Sequence, residues 1–178
     1  MNQQNVKLPD FLIADLYKNN LVEIESIIKE KAFVNENVKD KPGKLENIKL
    51  LGKNSKNVII VTNYADAAFL PDNELKFLTN ILNACNLNLN DIGIVNFATN
   101  EFSYNLLKQQ MGAKKIILFG LPASSVLLPF TVPDFQVQDY DGCSILQVPV
   151  LETMNEANEK SKNLKKKLWV SLKQMFEI

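Results

Sequence analysis

The side chains that could carry out chemistry in this chain follow directly after two apolar runs. Asp66 stands in the polar segment after the first run, where it could activate a water molecule as a general base, although an aspartate there also starts turns. Asn96 closes the second run, and its amide could hydrogen-bond to the edge of a nucleobase or satisfy buried backbone groups. Tyr64 and Phe97 could stack on such a base or pack in the core. Together with Asn63, these residues form the polar part of a candidate site.

The composition lacks the usual catalytic side chains. No histidine or arginine occurs in the 178 residues, so a conventional serine or cysteine triad and an arginine phosphate clamp are both excluded. No glycine-rich phosphate-binding loop follows the first apolar run. Cys85 and Cys143 lie far apart inside apolar runs, which predicts reduced core thiols rather than a disulfide or a metal site. We therefore expect no metal and no cofactor.

The charge balance and the N-terminus bear on partners and location. Twenty lysines balance twenty acidic residues, so the whole chain has no net field that would attract nucleic acid or an anionic membrane. Any DNA contact should therefore be weak and local. No apolar run reaches the roughly 20 residues of a membrane span, and the first five residues lack the basic flank and apolar core of a signal peptide. We expect a cytoplasmic protein without membrane contact.

Alternating helices and strands must position the candidate residues. From residue 57 the hydrophobic pattern predicts strand, helix, strand, helix and strand in succession, which is typical of a parallel sheet with helical crossovers. The predicted elements are strands at 58–61, 92–97 and 115–119, helices from about 71 and at 102–111, a short helix at 124–128, strands near 135–137 and 144–148, and a long final helix through 164–176. We expect a three-layer α/β/α sandwich with a central, mainly parallel sheet of about four strands, with 58–61 and 116–119 in its middle.

We expect a single domain over residues 1–178, with an N-terminal segment at 1–56 and an α/β core at 57–178. Four apolar residues recur at helical spacing near the start: Leu8, Phe11, Leu12 and Leu16. They predict a short amphipathic helix that either packs on the core or docks on a partner. Residues 33–55 follow as a lysine-rich surface connection.

Ligands of open α/β sheets sit outside the carboxyl ends of the strands. This rule adds Gly120, Val148 and Pro149 to the candidate site, because each follows or ends a predicted strand. Five short pieces of the chain between residues 57 and 176 also resemble the uracil-DNA glycosylase superfamily, most closely its bacterial thermostable branch. The pieces are ILNACNL at 81–87, IVN at 94–96, IILFG at 116–120, VPV at 148–150, and Lys165 with Trp169, Leu172 and Lys173. The resemblance implies a glycosylase-like fold.

The chain departs from this family where the family carries its chemistry. Val148 stands where the family has a catalytic histidine, and the segment from Asn63 to Asp66 stands where it has a glycine-rich acidic motif. Two cysteines cannot replace the four that hold an iron–sulfur cluster in the thermostable branch. Loss of the histidine removes a donor worth about 3 to 4 kcal/mol to the leaving base. The resemblance therefore implies a fold without the ordinary glycosylase activity.

We expect a non-catalytic, glycosylase-like domain that acts as a protein-binding or nucleic-acid-binding adaptor in DNA replication or repair. The layout also resembles the psi subunits of bacterial DNA polymerase III, which look like inactive members of this fold and act as small adaptors. That resemblance implies a protein partner in the replication machinery. Two alternatives stay open: a divergent DNA glycosylase or nucleobase hydrolase that uses Asp66, and a small-molecule-binding α/β domain.

Overall fold

The computed structural model describes residues 48–178 of the chain. This part has a mixed α/β fold with one six-stranded sheet and four α-helices. The strands are β1 (Leu51–Gly52), β2 (Val58–Thr62), β3 (Ile92–Asn96), β4 (Lys115–Phe119), β5 (Val137–Tyr140) and β6 (Cys143–Val148). The α-helices are α1 (Asp72–Ala84), α2 (Tyr104–Met111), α3 (Leu151–Asn155) and α4 (Glu159–Phe176), and a 3-10 helix spans Ala123–Val126. The helix predicted around Leu8 to Leu16 lies outside the described residues.

The strands follow the order β1-β3-β2-β4-β6-β5 across the sheet. The four inner strands pair in parallel, so that Val58 of β2 lies opposite Ile92 of β3 on one side and Lys115 of β4 on the other. β1 and β5 close the two edges as antiparallel strands. β2 and β4 therefore occupy the middle of the sheet, as their dense runs of β-branched and apolar residues predict.

Alternate residues of β2 contribute to two separate hydrophobic clusters. Val58 and Ile60 belong to a cluster that contains buried residues of α1, α3 and α4, which we call the first cluster. Ile59 and Val61 belong to a second cluster that contains residues of α2 and the 3-10 helix. None of the four is more than 2 % exposed. Because both faces of β2 are buried, its sequence is a continuous apolar run rather than an alternating one.

Side-chain and glycine caps determine where two of the helices begin and end. At the start of α2, Ser103 Oγ accepts a hydrogen bond from Leu106 N at 3.3 Å, and the helix ends at Gly112 in the left-handed conformation with φ of 59°. At the start of α4, Asn158 Oδ1 accepts from Ser161 N at 2.7 Å. Each side-chain cap satisfies a backbone N–H that the first helical turn leaves without a partner.

The structure corrects several predicted boundaries. The sheet is mixed and has six strands rather than about four, because the antiparallel strands β1 and β5 extend its edges. β1 lies in the predicted surface connection and has only two residues, too few to show a period. β5 begins at Val137 rather than near 135, since Phe135 has a φ of 62°, which a strand does not accommodate. The second predicted helix begins at Tyr104 rather than at 102.

Candidate functional site

The polar loop after β2, residues 63–70, is tied to the sheet by two buried side chains. One of them is Thr62, whose hydroxyl donates to Phe69 O at 2.7 Å and lies 3.2 Å from Val95 O. The loop after β3 is attached beside it, because Phe97 N donates to Thr62 O at 2.8 Å. The carboxyl ends of these two strands are therefore held together by the protein's own hydrogen bonds.

Asn96 is the second buried side chain that holds this loop. Its amide nitrogen donates to Tyr64 O at 2.7 Å and to Ala67 O at 2.8 Å. Its Oδ1 accepts from Tyr64 N at 3.0 Å and from Ala98 N at 3.2 Å. The side chain is 3 % exposed, and both amide hydrogens and both lone pairs are used within the protein. The amide therefore has no free group for the edge of a base, and its contacts correspond to the backbone-satisfying role.

The two aromatic candidates pack against different clusters. Tyr64 packs against the first cluster, which contains residues of α1, α3 and α4, whereas Phe97 packs against the second cluster. The Phe97 ring meets Phe102 edge to face, with 5.3 Å between the ring centroids. The structure therefore does not bring Tyr64 and Phe97 together as one stacking platform.

The hydroxyl group of Tyr64 is buried and has no hydrogen-bond partner among the described residues. Burial, with the carboxylates of Glu152 and Glu74 as smaller causes, raises the pKa of Tyr64 to about 12. The phenol is therefore neutral near pH 7, and it can donate a hydrogen bond but cannot serve as a base.

The remaining candidates are divided between the surface and the core. Asp66 and Asn63 are exposed on the loop. Val148 is 1 % exposed and belongs to the first cluster, so its side chain is part of the packed interior. Pro149 follows it and is half-buried. These residues do not form a set of converging polar groups.

Gly120 marks a close approach between the ends of β4 and β6. Its N–H donates to Val148 O at 2.9 Å, and its φ is +66°. A Cβ at this position would lie 2.2 Å from Val150 Cγ1. The glycine is therefore explained by backbone conformation and packing.

Among residues 48–178, no group of three or more His, Cys, Asp and Glu side chains could hold a metal ion. Within the same range, no helix has both the length and the hydropathy needed to cross a membrane. Cys85 and Cys143 are free thiols buried in the core.

A groove with an apolar lining lies between α1 and α4, away from the polar loops. We call it the α1/α4 groove, and its volume is about 230 Å³. It is lined by Phe77, Asn80, Ile81, Ala84, Lys165, Leu168, Trp169 and Leu172. Leu168 and Leu172 are also part of the first cluster, so the floor of the groove is continuous with the core.

Trp169 gives the groove its most exposed large side chain. The residue is 38 % exposed, although it lies next to Leu168, which is buried in the first cluster. Lys173 Nζ lies 6.0 Å from the centroid of the Trp169 ring, and Lys165 Nζ lies 5.2 Å from that of Phe77. Ammonium groups thus stand over two aromatic rings at the groove.

One face of α4 beside the groove is basic. Three lysines and the tryptophan recur at spacings of four, three and four residues: Lys162, Lys166, Trp169 and Lys173. Residues at these spacings share a helix face, and all four are exposed. We call the three lysines the lysine stripe. The spacing is visible in the sequence, but it does not reveal the groove, because α1 ends more than 70 residues before α4 begins.

Neither the protein-family models nor the curated proteins contain a match to this chain. The function of the chain is therefore inferred from its own residues and their geometry.

Proposed function

We propose that this chain is a non-catalytic domain with a uracil-DNA glycosylase-like, three-layer α/β/α fold, and that it acts as a protein-binding adaptor in DNA replication or repair. The observation that carries the proposal is the α1/α4 groove, where the exposed ring of Trp169 stands beside an apolar floor. Aromatic residues beside apolar pockets are typical anchors of protein interfaces.

The positions that would carry chemistry support a non-catalytic role. Val148 is packed in the core and offers neither a hydrogen bond nor a charge to a leaving base. The amide of Asn96 is engaged with backbone groups on all sides. Asp66 is exposed on the loop, whereas a general base in a glycosylase works in a site that excludes bulk water.

The size and lining of the groove favour a protein partner over a small molecule. Small-molecule sites enclose about 300 to 1,000 Å³ and use several converging polar groups. The α1/α4 groove measures about 230 Å³, and of its lining side chains only those of Asn80 and Lys165 are polar apart from the indole N–H of Trp169. The resemblance of the layout to psi subunits supports a partner in the replication machinery. The lysine stripe on α4 is compatible with a weak DNA contact.

An assay for abasic sites tests the non-catalytic part of the proposal. Purified protein is incubated with single- and double-stranded DNA that contains uracil, and we expect no excision above a blank preparation. Excision that persists through purification and disappears in Asp66→Ala would instead establish the divergent glycosylase.

Affinity capture from the source cell tests the adaptor part. We expect replication or repair proteins to be enriched on the wild-type chain and lost from Trp169→Ser. Val170→Ser is the matched control, because Val170 is the next residue of α4, is 62 % exposed and does not line the groove. Both variants should retain a cooperative thermal melt. Equal capture by the two variants would show that the groove is not the binding surface.

A further inference from the structure

We propose that the α1/α4 groove binds an amphipathic helix of a partner protein whose polar flank is acidic. This inference rests on the proposed adaptor function and adds the chemistry of the partner. It is drawn from the shape of the groove together with the charge along one of its sides.

The shape favours a helix that inserts a few apolar side chains. The groove is formed by two helices, with Phe77 and Ile81 of α1 on one wall and Trp169 of α4 on the other. A helix places its anchors at i, i+3 or i+4, and i+7, which is the arrangement that an apolar groove between two helices accepts. Trp169 would be the central anchor on this chain, since tryptophan is enriched among the residues that contribute most to binding at protein interfaces and 38 % of this residue is exposed in the free protein.

The charge beside the groove indicates which charge the polar side of the partner helix should carry. Lys162, Lys166 and Lys173 stand on the exposed side of α4, and Lys165 lies over the wall at Phe77. Lys162 also pairs with Glu159 at 2.6 Å, so this lysine is partly compensated within the helix. The other lysines have no carboxylate within salt-bridge distance among residues 48–178. A partner helix with glutamates along one side would supply carboxylates to these lysines.

Two other occupants fit the surface less well. A second copy of this chain that docks through the same face would bring one lysine stripe against another, which like-charge repulsion opposes. A nucleic-acid strand would neutralise the lysines, but its phosphates would leave the accessible apolar walls at Phe77, Ile81 and Trp169 in contact with water. Trp169 alone would then offer a stacking ring on this wall.

Trp169 also provides the readout, because it is the single tryptophan of the chain. The probes are two helix-forming peptides of about 18 residues that share leucines at helical spacing and lack tryptophan and tyrosine. One carries glutamates on its polar flank, and the other carries lysines. Each is titrated into the full-length protein while the fluorescence of Trp169 is followed at low and high salt.

We expect the acidic peptide to shift the Trp169 spectrum and to bind about tenfold more tightly than the basic one, with the difference reduced at high salt. The triple variant Lys162→Glu, Lys166→Glu, Lys173→Glu should reverse this preference. The control is a second triple variant with the same net charge, in which exposed lysines outside the groove are replaced: Lys53→Glu, Lys114→Glu, Lys160→Glu. It should keep the preference for the acidic peptide.

Several results would overturn the inference. Equal affinity for both peptides would remove the role of charge. Displacement of the acidic peptide by a single-stranded oligonucleotide that binds more tightly would assign the surface to nucleic acid. A spectral shift with protein concentration alone would assign it to self-association. If neither peptide binds while partner capture still requires Trp169, the adaptor function stands and the helical occupant is wrong. If capture does not require Trp169, the adaptor surface itself fails.

Discussion

Replacing Asn96 by alanine measures whether this residue is a structural clamp or a recognition group. The change removes four hydrogen bonds shorter than 3.3 Å and leaves the backbone groups of Tyr64, Ala67 and Ala98 without their partner. At about 1 kcal/mol per bond, Asn96→Ala should lower the free energy of unfolding by about 4 kcal/mol. For a chain of this size that loss corresponds to a decrease of about 10 °C in melting temperature.

Two further variants make the measurement specific. Asn63→Ala makes the same substitution on the exposed side of the loop and should change the stability by less than about 0.5 kcal/mol. Asn96→Asp keeps the accepting oxygen but replaces the donating nitrogen by a second oxygen that faces Tyr64 O and Ala67 O, so it should lower the free energy of unfolding at least as much as Asn96→Ala. A thermal melt of Asn96→Ala within about 2 °C of the wild type would refute the clamp.

Two other predictions concern Gly120 and Tyr64. Gly120→Ala should lower the free energy of unfolding, measured by chemical denaturation, by about 2 to 3 kcal/mol, because the added Cβ would meet Val150. Gly142→Ala should lower it by only about 1 kcal/mol, since φ is +72° there but no atom lies within 4 Å of the added Cβ. Equal losses would contradict the packing explanation. Because the folded-state pKa of Tyr64 is raised to about 12, its contribution to stability is complete below about pH 10 and is lost as the pH rises through 12. Tyr64→Phe should therefore flatten the alkaline loss of stability in denaturant titrations from pH 8 to 12, and an unchanged profile would contradict the shift.

The central strands could be predicted from sequence because their burial leaves a local signal. Val58 to Val61 and Ile116 to Phe119 are apolar at every position, since both faces of β2 and β4 are covered. The edge strands gave no such signal. β1 has only two residues and was not predicted. β5 is half-buried or exposed throughout, so it was predicted only near residues 135–137, with its start placed too early.

The site was only partly predictable for a different physical reason. The sequence allows Asn96 either to satisfy buried backbone groups or to hydrogen-bond to a base. The hydrogen bonds of its amide to loop residues about 30 positions away favour the first role, and no local pattern indicates these bonds. The exposure of Trp169 depends on how α4 packs beside α1, and the two helices are separated by more than 70 residues. A periodic sequence places a residue on a face of its own helix, but it does not say which distant element leaves that face open.

The antiparallel strands at the edges of the sheet also bear on how the folded chain behaves when it is concentrated. An inner strand such as β2 would be a template for intermolecular β-pairing and fibril growth if it stood at an edge. Instead, one edge is the two-residue β1, and the other is β5, which carries Asp139 and ends beside Asp141. Asp139 Oδ1 accepts from Ser144 Oγ at 2.6 Å, which fastens β5 to β6. Short and acidic edges of this kind oppose strand-to-strand polymerisation, so within residues 48–178 the apolar runs of β2 and β4 become available to other molecules when the sheet opens.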